Sequence, residues 1–297
     1  MTLQKKATLV STATAALLIV IKLTIGILSG SISVLASAID SVLDLIISAF
    51  NYFAINKAEQ PADKDFNYGK GKIEALAAVI EGTVITMSGL FILYHAIKKA
   101  YIGDETTLLG SSILVMTISL VITIALVMFL NYVAKKTNNM VIKSDALHYK
   151  TDVLSNGAIL ISLILIYSTG FQIIDAIMGM IISVYIIYSA YEIIKEGVYI
   201  LLDAALDEEV VTKIKDIITA QDGINDFHYL KTRKSANTNF VDVHLVFSDG
   251  ISLLKAHSIG DKVEDKIAEI AKDEEWIVNV HLDPYDDSII NDRENRY

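Results

Sequence analysis

The chain has 297 residues, no cysteine, 53% hydrophobic residues and a formal charge of −10. Disulfides and thiolate metal sites are therefore excluded, and a net negative charge argues against nucleic acid as a partner. The charge is uneven: residues 203–297 hold 21 Asp+Glu against 11 Lys+Arg, a difference of −10, so the first 202 residues hold 14 of each and balance.

A membrane-crossing helix needs about 20 mostly apolar residues. Six segments qualify, at 7–28, 31–54, 73–97, 109–134, 142–168 and 172–194. The first follows Lys5 and Lys6, lacks a small-residue cleavage site and reads as a membrane helix, not a cleaved leader. Ser29-Gly30 and Ser168-Thr169-Gly170 read as tight turns, and the 55–72 and 135–141 links as longer, basic loops. Lys5, Lys6, Lys57, Lys64, Lys70, Lys72, Lys135, Lys136, Lys143 and Lys195 fall on one side, against Lys98 and Lys99 on the other. Lysine-rich loops stay in the cytoplasm, which predicts an inner (plasma) membrane protein with both termini cytoplasmic.

The remainder reads as helix, strand, strand, helix, strand. The helices are 207–220 and 251–271, and the strands are Phe227–Thr232, Phe240–Phe247 and Trp276–Leu282. The expected architecture is an all-α six-helix transmembrane bundle over 1–202 and an α+β cytoplasmic domain over 203–297.

Ionisable residues inside apolar helices are costly and mark function. Asp40 and Asp44 in the second segment are four apart, as are His148 and Asp152 in the fifth, so each pair shares a helix face. Three carboxylates and one imidazole from two helices suit tetrahedral Zn²⁺. Asp145 is placed at the cytoplasmic rim and Lys22 is expected to snorkel without a role. Glu74 and Glu81, seven apart on the third segment, face either a water-filled cavity or a dimer seam. His95, alone at a helix end, reads as structural. Four of the six histidines sit in the tail: His228, His244 and His281 on the three strands and His257 early in the second helix. His281 and Asp283, two apart on one strand, point to one sheet face. Together these residues are expected to converge on a zinc-binding cluster.

The D-x-x-x-D and H-x-x-x-D pair resembles the cation diffusion facilitator family, and more narrowly its bacterial ferrous-iron/zinc efflux branch. The segments QPADKDFNYGKGKIEALA (60–77) and HYLKTRKSANTNFVDVHL (228–245) resemble that branch too. The resemblance implies a homodimer in the lipid bilayer that exports Zn²⁺, often also Cd²⁺, by proton antiport. It also implies a ferredoxin-like, metallochaperone-like tail. There His228, His244, His257, His281 and Asp283 match positions binding a pair of zinc ions at the dimer interface. Lys72 and Asp203 match charged positions of an interlock between membrane and tail domains. One loop departs from the pattern: Asp63 remains, but Phe66 and Lys70 stand where the branch has histidines. Phe cannot ligate and Lys offers only an ammonium, so a loop metal site is expected to be absent or very weak.

Three other readings fit parts of the pattern. A membrane-embedded metallohydrolase lacks an H-E-x-x-H and a free general base beside an open ligand position. A zinc sensor would leave the intramembrane ligands unexplained. An Mn²⁺ or Fe²⁺ exporter fits the carboxylates, and the single imidazole favours Zn²⁺.

Overall fold

The computed structural model describes residues 1–29, 32–102, 110–171, 173–272 and 274–286. These fall into two compact units, Met1–Val198 and Tyr199–Tyr297.

The first unit is built from long helices: α1 Leu3–Ser29, α2 Ile32–Ala58, α3 Lys72–Ile102, α4 Gly110–Thr137, α5 Met140–Thr169 and α6 Ile173–Leu201. Each is apolar and long enough to cross a membrane. At 27 to 31 residues they run ~40–47 Å, past the ~30 Å of hydrocarbon in a bilayer. The apolar runs show little amphipathic bias because both the lipid-facing and the packed sides must be greasy. The expected turn at Ser29-Gly30 reaches outside the described residues, as do the first residues of the segments set at 31, 109 and 172. The turn after α5 is seen: Gly170 adopts φ 76°, which only glycine tolerates readily, and its N–H donates to Ile166 O at 2.7 Å. Asn139 caps the other end of α5, its side chain accepting from Ile142 N at 3.1 Å.

Glycine sets how closely helices approach. A Cβ on Gly197 of α6 would stand 2.6 Å from Val79 Cγ2 of α3, and one on Gly82 of α3 would stand 2.8 Å from Ile194 Cγ1 of α6. One core gathers around α4 and α5, with Leu130, Val133, Val141, Ile142, Ala146 and Tyr149 buried against Ala54 and Ile55 of α2. That packing fixes the faces of α2 and α5 toward each other.

The second unit comprises α7 Glu208–Thr219, β1 Asp226–Ser235, β2 Thr238–Val246, α8 Leu253–Ala268 and β3 Glu275–Asp283. The sheet order is β1-β2-β3, with β1/β2 antiparallel and β2/β3 parallel, so α8 is the crossover. Ile214 and Ile218 of α7 and Ala256, Ile259, Val263 and Ile267 of α8 share a core with Val241, Val243 and Leu245 of β2. Both helices therefore cover one sheet face, and the alternate residues of β2, Asp242 and His244, belong to the other. β1 is longer than expected and carries a bulge between His228 and Lys231, with Tyr229 at φ 55°.

Candidate metal centres

In the membrane unit, Asp44 of α2 and His148 and Asp152 of α5 come together, with ligand atoms all within 4.8 Å of one another. His148 Nε2 lies 3.1 Å from Asp44 Oδ1, and both side chains are only 14% exposed. Ser48 and Tyr149 share a hydrogen bond of 2.8 Å one turn away, tying the two helices at the depth of the site. Asp40 stands one turn back on α2, exposed and outside that group.

Three residues have surroundings other than expected. Lys22 does not snorkel: it is buried, and its ammonium donates to Ser37 O at 3.2 Å and Ser41 Oγ at 2.7 Å. The α1–α2 packing holds it inside the bundle, where its charge acts on Asp44, Asp152 and Asp40. Asp145 lies near the start of α5, as expected, but is fully buried rather than open to water, because the surrounding helices enclose that end of the bundle. Glu81 is buried with it: Asn51 Nδ2 donates to Glu81 Oε2 and to Asp145 Oδ1, 3.2 Å each. Polar residues in apolar helices were the available signal for this cluster. Glu74 is buried beside Asn139. His95 packs its ring on Phe91 at 4.3 Å.

In the loop after α2, Asp63 Oδ1 accepts from the backbone N–H groups of Asp65 and Phe66. Its Oδ2 accepts from Lys70 Nζ at 2.6 Å. The Lys70 ammonium and these N–H groups hold the Asp63 carboxyl below its ordinary range. A cation arriving there must displace Lys70.

In the tail, pairing places His228, His244 and His281 side by side in one row across β1, β2 and β3. The row lies on the sheet face opposite α7 and α8. Adjacent rings are 5.0 Å and 4.5 Å apart. Asp283 sits beneath them: His244 Nδ1 is 2.9 Å from Oδ2, His228 Nε2 is 3.3 Å from Oδ2, and His281 Nε2 is 3.1 Å from Oδ1. His228, His244 and Asp283 are spaced to hold one ion. Asp286, not anticipated from sequence, reaches His228 Nδ1 at 3.7 Å. His257 is apart from this group: it is exposed on α8 and paired with Asp261 at 3.5 Å. Its neighbours Ala256 and Ile259 face the sheet core, which turns it outward. Asp203 is paired with Arg233 at 3.4 Å.

Comparison with known proteins agrees with this organisation. Residues 8–202 match the family model described as the cation efflux transmembrane domain, and residues 206–285 that of the cation efflux protein cytoplasmic domain. The chain is 37% identical over 282 residues to a protein named cation-efflux pump FieF from Citrobacter koseri, covering 95% of this chain and 93% of the relative. A Klebsiella pneumoniae protein of the same name matches to the same extent. An Escherichia coli one is 36% identical, with the same coverage.

Proposed function

Because the chain belongs to the cation efflux family, we propose that it exports Zn²⁺, and with it Cd²⁺, from the cytoplasm in exchange for protons. Members of the family are transporters, which sets the metallohydrolase aside. The observation that carries the proposal is the buried meeting of Asp44, His148 and Asp152 between two membrane-crossing helices.

The cage binds its substrate through one imidazole nitrogen and carboxylate oxygens, the donor set of tetrahedral zinc. Asp40, one turn along α2, is the fourth ligand and closes on the cage as the helices move. These ligands bind metal only when deprotonated, so loading the site releases protons and reprotonation from the far side releases the metal. Rocking of helices about a site at mid-membrane depth gives alternating access. In the empty cage the Lys22 ammonium offsets part of the carboxylate charge from a fixed position. The lysine-rich loops favour cytoplasmic termini in a plasma-membrane protein. The chain acts as a homodimer, as the relatives' cytoplasmic-domain family suggests. In the tail, His228, His244, His281 and Asp283 bind regulatory zinc.

The test is flux in proteoliposomes with Zn²⁺, Cd²⁺, Mn²⁺ and Fe²⁺, with and without a pH gradient. Zn²⁺ flux driven by the gradient is expected, and Asp44→Ala or His148→Ala should abolish it in a folded, inserted protein. Wild-type flux in either variant overturns the site; equal flux with and without the gradient overturns antiport.

A further inference from the structure

The cluster of Asn51, Glu81 and Asp145 is not needed to build the metal cage. It draws one residue from each of α2, α3 and α5, all fully or almost fully buried. One amide nitrogen bridges the two carboxylates at 3.2 Å each. Four buried atoms there lack a hydrogen-bond partner: Asn51 Oδ1, Glu81 Oε1, Asp145 Oδ2 and Ser144 Oγ. Ser144 stands beside Glu81, and Ser11 of α1 beside Asp145. The Ser11 hydroxyl is already committed to Thr8 O at 3.0 Å.

Two anionic carboxylates cannot share a dry pocket on the strength of one neutral amide. Buried charges are paired, neutralised or bound to a cation. Among the described residues no lysine or arginine makes an ion pair with either carboxylate. The charged groups that bear on the pair are His148 on α5 and, for Asp145, Asp44 on α2. The arrangement is therefore one cation short.

We infer that Asn51, Glu81 and Asp145 form a second intramembrane site for a small cation, either a proton or a desolvated metal ion, separate from the Asp44–His148–Asp152 cage. Oxygen is the only donor type offered, which suits both cations. The Asn51 side chain serves both states: its NH₂ group donates to empty carboxylates, and after an amide flip its oxygen accepts from a carboxylic acid or ligates the metal. Asn51 lies seven residues past Asp44, about 10 Å along α2. Asp145 is one turn before His148 on α5. The site thus occupies the end of the bundle where α2 finishes and α5 begins. In the orientation proposed above, on which this part rests, that end faces the cytoplasm. The second site lies between the cytoplasm and the cage, where a charge arriving in one is felt in the other.

The test uses the purified full-length protein in detergent. Zn²⁺ is titrated in weak buffer with a pH-indicating dye, and bound metal is counted alongside. Wild type is compared with Glu81→Gln, Asp145→Asn and their double variant; Glu81→Gln alone suffices if the double fails to fold. About one proton fewer released per chain at saturating zinc, at unchanged metal content, identifies a proton as the cation. Loss of about one bound metal per chain identifies a metal ion. Metal content and proton release both equal to wild type in a folded Glu81→Gln protein overturn the inference. Wild-type protein that releases no protons on binding zinc defeats the antiport reading instead, and the metal count then still decides the second site.

Discussion

Replacing Asp283 by alanine tests the tail most sharply, because one carboxylate holds three imidazoles. Its side chain is 8% exposed, and those of His228 and His244 are 10% and 19% exposed. The His281 side chain is 65% exposed, so water replaces that contact at little cost. The other two contacts, at 3.3 and 2.9 Å, lose a charged acceptor. A hydrogen bond to a charged group contributes about 1.5–3 kcal/mol, and the longer contact belongs at the low end. Metal-free Asp283→Ala tail should therefore lose ~3 kcal/mol. For a domain of this size that is a fall in Tm of about 12–24 °C. Zinc at 100 times its Kd adds ~2.7 kcal/mol to a protein that binds it only when folded. The variant should lose that increment as well. The assay is thermal unfolding of residues 203–297 followed by circular dichroism, with chelator and with graded Zn²⁺. A zinc-dependent rise in Tm equal to that of wild type would refute the assignment of Asp283 as a ligand. A chelated Tm within ~4 °C of wild type would show that the carboxylate does not hold the row together.

His148→Asp makes the cage all-oxygen, and the ratio of Zn²⁺ to Mn²⁺ flux should fall; an unchanged ratio removes His148 from selectivity. Ile267→Ala empties a fully buried site under the sheet and should cost the tail about 2–5 kcal/mol, read as a lower urea midpoint at unchanged slope. Burial works to raise the Glu274 carboxyl, but its hydrogen bonds from Lys234 at 2.6 Å and Asn239 at 2.5 Å prevail and leave it below the ordinary 4.5. A depressed folded value means stability that is present above the unfolded pKa and lost as pH falls through the folded one. Glu274→Gln should thus flatten the loss of tail stability below about pH 4.5, and an unchanged acid limb in a denaturant series would refute the pairing.

Much of the architecture was legible because two periods dominate the sequence. Runs of apolar residues longer than a bilayer is thick gave the six helices, and i, i+4 spacing brought Asp44 to the His148 and Asp152 face. The tail strands were readable from alternation, and the histidines fell on them. What sequence spacing does not carry is azimuth and depth. Asp145 lies only five residues into α5, yet packing of α2, α3 and α5 around it makes that position interior. Lys22 has a stem long enough to reach water, but two oxygens of α2 lie closer. Asn51 was the weakest signal of the three, since a lone amide in a helix acquires meaning only when two carboxylates arrive from other helices. His257 shows the converse: its membership of the acidic, histidine-rich tail suggested convergence, while the face of α8 it occupies is set by Ala256 and Ile259.

The row of His228, His244 and His281 makes the tail a gauge of its own strand alignment. Side chains alternate faces at every residue, so a slip of one position in either pairing would carry a histidine to the side covered by α7 and α8. The β2–β3 pairing is parallel and waits on the α8 crossover, the kind of distant contact that chains form late. An ion that needs neighbouring strands in step rewards only the correctly threaded chain. Zinc in the growing or refolding tail would then act as a proofreader of assembly, withholding its stabilisation from every misthreaded sheet.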